Sequence, residues 1–308
     1  MNGLGIEIGG TKLQLVAGTS EGIMLARRRF AVDRARGGAG IREQIASALP
    51  DLITAYRPGA IGVGFGGPID WRSGRIACSH QIEGWSDFPL GEWLRERTGL
   101  PVVVDNDANV AALGEAKYGA GRGADPVFFI TLGSGSGGGL IVGGNVYHGA
   151  PPGEAEIGHI RLDRQGSKFE DRCSGWAVDR RLREAVATDS ESLIARSIRQ
   201  QTSVGGEARH LSAALAAGCP VAHRVFREVV DDLAFGLSHA VQLFHPEVMV
   251  LGGGLSLIGE PLRNAVTEAL PRYVMDSFQP GPRVVLPGCG EDSVPLGALA
   301  LAGLIPVP

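Results

Sequence analysis

Residues 127–142 read Val-Phe-Phe-Ile-Thr-Leu-Gly-Ser-Gly-Ser-Gly-Gly-Gly-Leu-Ile-Val, an apolar strand-like run that breaks into glycine and then resumes. Gly133, Gly135 and Gly138 match the G-x-G-x-x-G spacing of a dinucleotide-binding turn. Such a turn must run into a helix, whereas here Leu140-Ile141-Val142 continue as a strand. The stretch therefore reads as a glycine turn between two strands, over 133–139, whose backbone N–H groups can face an anion.

The same plan stands at the N-terminus. Residues 4–17 alternate as strand, turn and strand, and the turn is Gly9-Gly10-Thr11-Lys12 behind Glu7. A hydroxyl and a cation join the glycine amides there, and Glu7 is a candidate to help hold a hydrated Mg²⁺. A plain hairpin turn explains this motif equally well when it is taken alone. It is not a P-loop, because the G-x-x-x-x-G-K-[ST] spacing is absent. A third glycine group, Gly252-Gly253-Gly254, closes the strand-like residues 248–251, where bare backbone would let a nucleobase or ribose lie close, although taken alone it reads as well as a turn entering a helix.

Between these turns strands alternate with helices. Residues 23–32, 60–65 and 101–104 read as strands, the second ending in Gly66-Gly67-Pro68. Residues 41–56, 93–97, 179–187, 193–199, 225–244, 261–270 and 296–304 carry helical spacing; Val225, Val229, Leu233, Leu237 and Val241 share one face. The alternation makes this an α/β protein. Asp105-Asn106-Asp107 opens a helix to about residue 118, Asp and Asn both being good caps and Asp105 a candidate for that role. Asp107 is a candidate general base for a hydroxyl that attacks phosphorus. Glu154, Glu156 and His159, with Glu170 further on, supply the acceptors and donors that a polyol needs.

The chain has 308 residues, enough for two lobes, and 47 are glycines gathered in blocks after apolar runs. A net charge of −4 gives no reason to expect nucleic acid or an anionic membrane as partner. Cys78, Cys173, Cys219 and Cys289 form no C-x-x-C pair, so neither a disulfide framework nor a four-cysteine zinc site is expected. With no basic leader and no membrane-length apolar run, the expectation is a cytoplasmic protein.

The blocks Gly-Gly-Thr-Lys, Gly-Gly-Pro, Asp-Asn-Asp-Ala-Asn, Thr-Leu-Gly-Ser-Gly-Ser-Gly-Gly-Gly, Glu-Ile-Gly-His and Leu-Gly-Gly-Gly follow one another along nearly the whole chain. In that order they resemble the ROK family (repressors, open reading frames and kinases) of sugar kinases. The resemblance implies a two-lobed actin-like ATPase fold, related to ribonuclease H. Residues 1–112 would form a smaller N-terminal lobe and 113–293 a larger one, with a final helix over 294–308 packing back on the first. It implies ATP with Mg²⁺ bound between the lobes, a hexose or N-acetylhexosamine as acceptor, and a homodimer.

By position, Gly9, Gly10, Thr11 and Lys12 would form the first phosphate turn. Thr131, Gly133, Ser134 and Gly135 would form the second, and Gly252, Gly253 and Gly254 would lie at the adenosine. Asp107 matches the catalytic base. Gly66, Gly67, Asn106, Glu156, His159 and Glu170 match sugar contacts. Three departures stand out. Glu7 replaces the usual Asp of the first turn, and Gln81 replaces a frequent Asn ahead of Gly84-Trp85. The cysteine-rich zinc motif is replaced by Gly166-Ser167-Lys168-Phe169-Glu170, so no structural zinc is expected. ROK repressors carry a helix-turn-helix ahead of the kinase-like region, whereas here the phosphate turn begins almost at Met1. A kinase is therefore the expectation, and a catalytically silent sugar sensor or regulator is the alternative.

Overall fold

The computed structural model describes residues 2–79, 81–151, 153, 155–201 and 205–304. The chain opens with β1 (Asn2–Ile8), β2 (Lys12–Thr19), β3 (Met24–Ala31), α1 (Gly37–Tyr56) and β4 (Ile61–Phe65). The short pair β5 (Ile69–Asp70) and β6 (Arg75–Ile76), α2 (Leu90–Thr98), β7 (Val102–Asn106) and α3 (Asp107–Tyr118) follow. Next come β8 (Val127–Leu132), β9 (Ser136–Val142), β10 (Asn145–Val146), α4 (Phe169–Cys173) and α5 (Gly175–Thr188). The chain continues through α6 (Leu193–Arg199), α7 (Leu211–Ala216), α8 (Pro220–Phe244), β11 (Val248–Gly252), α9 (Glu260–Ala269), β12 (Arg283–Val285) and α10 (Ser293–Gly303).

The chain forms two compact units. The first comprises residues 1–124, 139–155 and 288–308, the second 125–138 and 156–287. In the first, five strands run in the order β3-β2-β1-β4-β7. The antiparallel β1–β2–β3 meander comes from tight turns, and the parallel β1–β4–β7 part from helical crossovers. The interior residues Leu4, Ile6, Ile8, Ile61, Val63 and Phe65 of these strands join Ile41, Ile45 and Leu49 of α1 in one buried cluster. Helices α3 and α10 pack together, and both pack on β4. The approach is close enough that a side chain on Gly62 would strike the backbone of Ala298, and one on Gly297 the backbone of Val110. This unit takes the whole of α3 and so passes residue 112. Segment 139–155 belongs with it, because Gly139 lies where a Cβ would be 2.7 Å from the Ala108 carbonyl and 2.8 Å from the Ala112 Cβ.

That contact corrects the reading of the second glycine stretch. The turn spans only residues 133–135, and β9 begins at Ser136. Gly139 serves close packing on α3 rather than turning. Of the two candidate cap types it is the Asn that serves: Asn106 caps α3, its Oδ1 accepting from Ala108 N at 2.9 Å, while Asp105 is buried near the end of β7.

In the second unit β11 lies parallel between β8 and β12, with Gly252 opposite Thr131. Helix α8 buries Val225, Val229, Leu233, Leu237 and Val241, the five residues of its expected apolar face.

Candidate active site

Within the first unit, three loops leave the carboxyl ends of neighbouring parallel strands. This is where α/β sheets bind ligands. Register places Ile8 opposite Phe65 and Phe65 opposite Asn106, so the turn Gly9–Lys12, the loop Gly66-Gly67 and Asp107 are adjacent. Gly9 N–H donates to the Lys12 carbonyl at 3.0 Å and closes the first turn. Gly66 N–H donates to the Ile8 carbonyl at 2.9 Å. Asn106 Nδ2 donates to the Gly67 carbonyl at 3.0 Å, so its amide ties the glycine loop to α3 while also capping the helix. Asp107 is the first residue of α3, and its Oδ2 lies 3.3 Å from where a Cβ on Gly66 would stand. A carboxylate there is also favoured by the helix N-terminus.

Glu7 is buried beneath the first turn. Its Oε1 lies 3.0 Å from Lys12 Nζ, and its Oε2 accepts from Gln14 Nε2 at 2.6 Å. Burial pushes its carboxyl above the usual range, against the lowering pull of Lys12 and Gln14. Glu7 thus anchors Lys12 at the turn. Among the described residues no three His, Cys, Asp or Glu side chains gather as a metal cage.

The second unit repeats the plan. The turn after β8 is closed by Gly133 N–H donating to the Gly135 carbonyl at 2.9 Å, and the neighbouring β11 ends in Gly252. Gly253 has φ +78°, and a side chain on it would strike the backbone of Leu132, so glycine is required on both counts. Gly254 meets nothing within 4 Å. It opens on a cleft of about 500 Å³ that is lined by Gly133, Ser134, Leu255, Ile258 and the start of α5. Trp176 and Leu257, 61% and 80% exposed, offer large apolar surface to this cleft. Arg209 supplies a cation. Asp179 accepts from Gly206 N and Ala208 N, both at 2.7 Å, and so fixes the loop that carries Arg209. Trp176, Leu257 and Arg209 escape sequence reasoning: they are single residues without spacing, brought together by folding alone.

Glu156 and His159 lie side by side, His159 Nδ1 3.7 Å from Glu156 Oε2, with side chains 59% and 51% exposed for His159 and Glu156 respectively, so both can meet a ligand. Glu154 lies outside the described residues. Glu170 accepts from Ser136 N at 2.7 Å, and its Oε2 lies 2.5 Å from where a Cβ on Gly135 would stand. Gly158 rests on the Ser136 carbonyl, where a Cβ would clash. The backbone of Ser136 is thus a shared post for both groups of expected sugar ligands.

The segment that replaces the zinc motif is a small hairpin. Arg161 bridges Lys168, Leu162 N–H donates to the Ser167 carbonyl at 2.8 Å, and Phe169 N–H to the Ile160 carbonyl at 2.9 Å. Asp163 Oδ1 accepts from Gly166 N at 2.8 Å and Ser167 N at 3.0 Å. Phe169 is fully buried against Gly236 of α8. Cys173, the one cysteine near this hairpin, is buried, and burial raises its thiol well above the ordinary value.

The sequence profile of the ROK family matches residues 3–304. A glucokinase of Streptomyces coelicolor is 33% identical over 97% of this chain and 96% of its own. The crystal structure of a ROK family glucokinase from Streptomyces griseus, in complex with glucose and AMPPNP, superposes with a TM-score of 0.85. It is 33% identical and covers 98% of this chain and 99% of that one. A ROK hexokinase from Thermus thermophilus gives a TM-score of 0.81 at 30% identity, over 99% and 98% of the two chains. The fold is the actin-like fold of ROK sugar kinases, and the chain belongs to the ROK family.

Proposed function

We propose that this protein transfers the γ-phosphoryl group of ATP to a hydroxyl of a hexose or N-acetylhexosamine, with Asp107 as general base. The observation that carries this reading is the placement of Asp107 against the Gly66 loop, at the same strand ends as the Gly9–Lys12 turn. A base, a sugar loop and a phosphate turn then share one edge of one sheet. The similarity to glucokinases makes glucose the first acceptor to test.

Asp107 takes the hydroxyl proton, and the freed oxygen attacks the γ-phosphorus. The bond to the bridging β,γ-oxygen breaks, and ADP leaves with that electron pair. Lys12, held by Glu7, and the amides of the glycine turns offset the charge on the phosphates. Mg²⁺ arriving with the nucleotide supplies further neutralisation. In the second unit the cleft beside Gly254 takes the nucleoside, with Trp176 and Leu257 as apolar walls. Glu156, His159 and Glu170 bind sugar hydroxyls. Release of ADP from ATP–Mg²⁺ in the presence of each sugar of a hexose and amino-sugar panel tests this. Sugar binding by calorimetry without turnover would favour a silent sensor instead.

A further inference from the structure

Asp105 is 2% exposed and stands two residues before Asp107. Its Oδ1 accepts from Asn106 N at 2.7 Å and from Asn109 Nδ2 at 2.9 Å. Its Oδ2 lies 2.7 Å from Nε2 of His148, which follows β10 in the same unit. A buried carboxylate is tolerated only when its oxygens are matched by donors. Here three of those donors come from residues 106, 109 and 148, and only His148 reaches in from outside the β7–α3 junction. The His148 ring is itself held flat on Trp71, with centroids 4.1 Å apart and planes at 15°. The Arg72 guanidinium lies over the same indole at 5.1 Å. Trp71 Nε1 is buried with no hydrogen-bond partner among the described residues, and the contacts on this indole's faces are the stacked His148 ring and the Arg72 guanidinium.

We infer that His148 is a positioning residue for the reaction: braced on Trp71 and bonded to Asp105, it fixes the start of α3 and thereby the direction of the Asp107 carboxylate. The inference rests on the reading of Asp107 as the base. Small errors in the placement of a reacting group are expensive in rate, and the first turn of a helix is where fraying begins. A clamp on the residue two before the base controls both. A residue that merely filled space would show itself in stability alone.

Two variants separate the roles. His148→Phe keeps a ring on Trp71 and loses the donor to Asp105. His148→Gln keeps an N–H near the Nε2 position and loses the ring. The expected result is a fall in kcat of about tenfold or more for His148→Phe, with KM for ATP within about twofold. His148→Gln recovers most of that loss. Adding Asp105→Asn to His148→Phe costs little more, because both changes break one bond. Amide hydrogen exchange over residues 106–109 is faster in His148→Phe and close to wild type in His148→Gln. Should His148→Phe not fold, His148→Asn, whose amide falls short of that position, replaces it. A kcat within twofold of wild type for the donor-less variant, or equal impairment of both variants, overturns the inference. So does unchanged exchange over 106–109, a result that does not depend on turnover. Absence of turnover by the wild-type protein with every sugar refutes the reading of Asp107, while the exchange comparison still decides for or against the clamp.

Discussion

The backbone N–H of Ser136 donates to the carboxylate of Glu170 at 2.7 Å, and so joins the strand after the second glycine turn to an expected sugar ligand. Removal of the carboxylate leaves that N–H without its partner. Glu170→Ala should lower unfolding free energy by about 1–2 kcal/mol and also raise the sugar KM. Glu170→Gln keeps an acceptor oxygen and should recover the stability but not the whole of the sugar affinity. Urea unfolding and steady-state kinetics on the two variants check both halves.

Glu7 is pushed upward from its ordinary carboxyl value of 4.5, chiefly by burial. The folded chain then holds this proton more tightly than the unfolded one. Stability drawn from this residue is therefore greatest below 4.5 and falls as pH rises through the raised value. Glu7→Gln removes the ionised form. Its stability relative to wild type should be highest near neutral pH, and the gain should vanish as pH falls into the ordinary carboxyl range. Because Lys12 loses its anchor, KM for ATP should rise at the same time. Thermal unfolding of both proteins across pH, with ATP kinetics at neutral pH, is the measurement.

Gly254 and Gly158 should respond in opposite ways. A side chain on Gly254 meets nothing within 4 Å and enters the cleft, so Gly254→Leu should leave stability within about 0.5 kcal/mol and raise KM for ATP. A side chain on Gly158 strikes the Ser136 carbonyl. Gly158→Ala should cost about 1–3 kcal/mol and weaken sugar binding, because it displaces the loop carrying Glu156 and His159.

The hairpin over residues 160–169 is braced by Asp163 and by buried Phe169. Asp163→Ala should lower the melting temperature and raise the sugar KM. A strong zinc chelator should change neither quantity in the wild-type protein.

Much of this was legible in the chain. The glycine turns are local signals, so Gly9–Lys12, Gly66-Gly67 and Gly252–Gly254 fall at strand ends as expected. Leu140-Ile141-Val142, whose strand character rules out a dinucleotide turn, form the end of β9. The less legible parts depend on distance in sequence. His148 meets Asp105 across 43 residues, and nothing in either neighbourhood announces the other. Gly139 looked like part of a turn because a glycine that admits a neighbouring helix is indistinguishable, in sequence, from one that bends the chain. Asp105 and Asn106 are both good caps, and burial of the first left the second to cap α3.

The decisive measurement is ADP release from ATP–Mg²⁺ with glucose and with each other sugar of the panel, for the wild-type protein beside Asp107→Asn. Sugar-dependent turnover by the wild type should fall by about 10²–10⁴-fold in the variant, with sugar binding by calorimetry largely kept. Turnover by Asp107→Asn at the wild-type rate, or no sugar-dependent ADP from the wild type with any sugar, would contradict it.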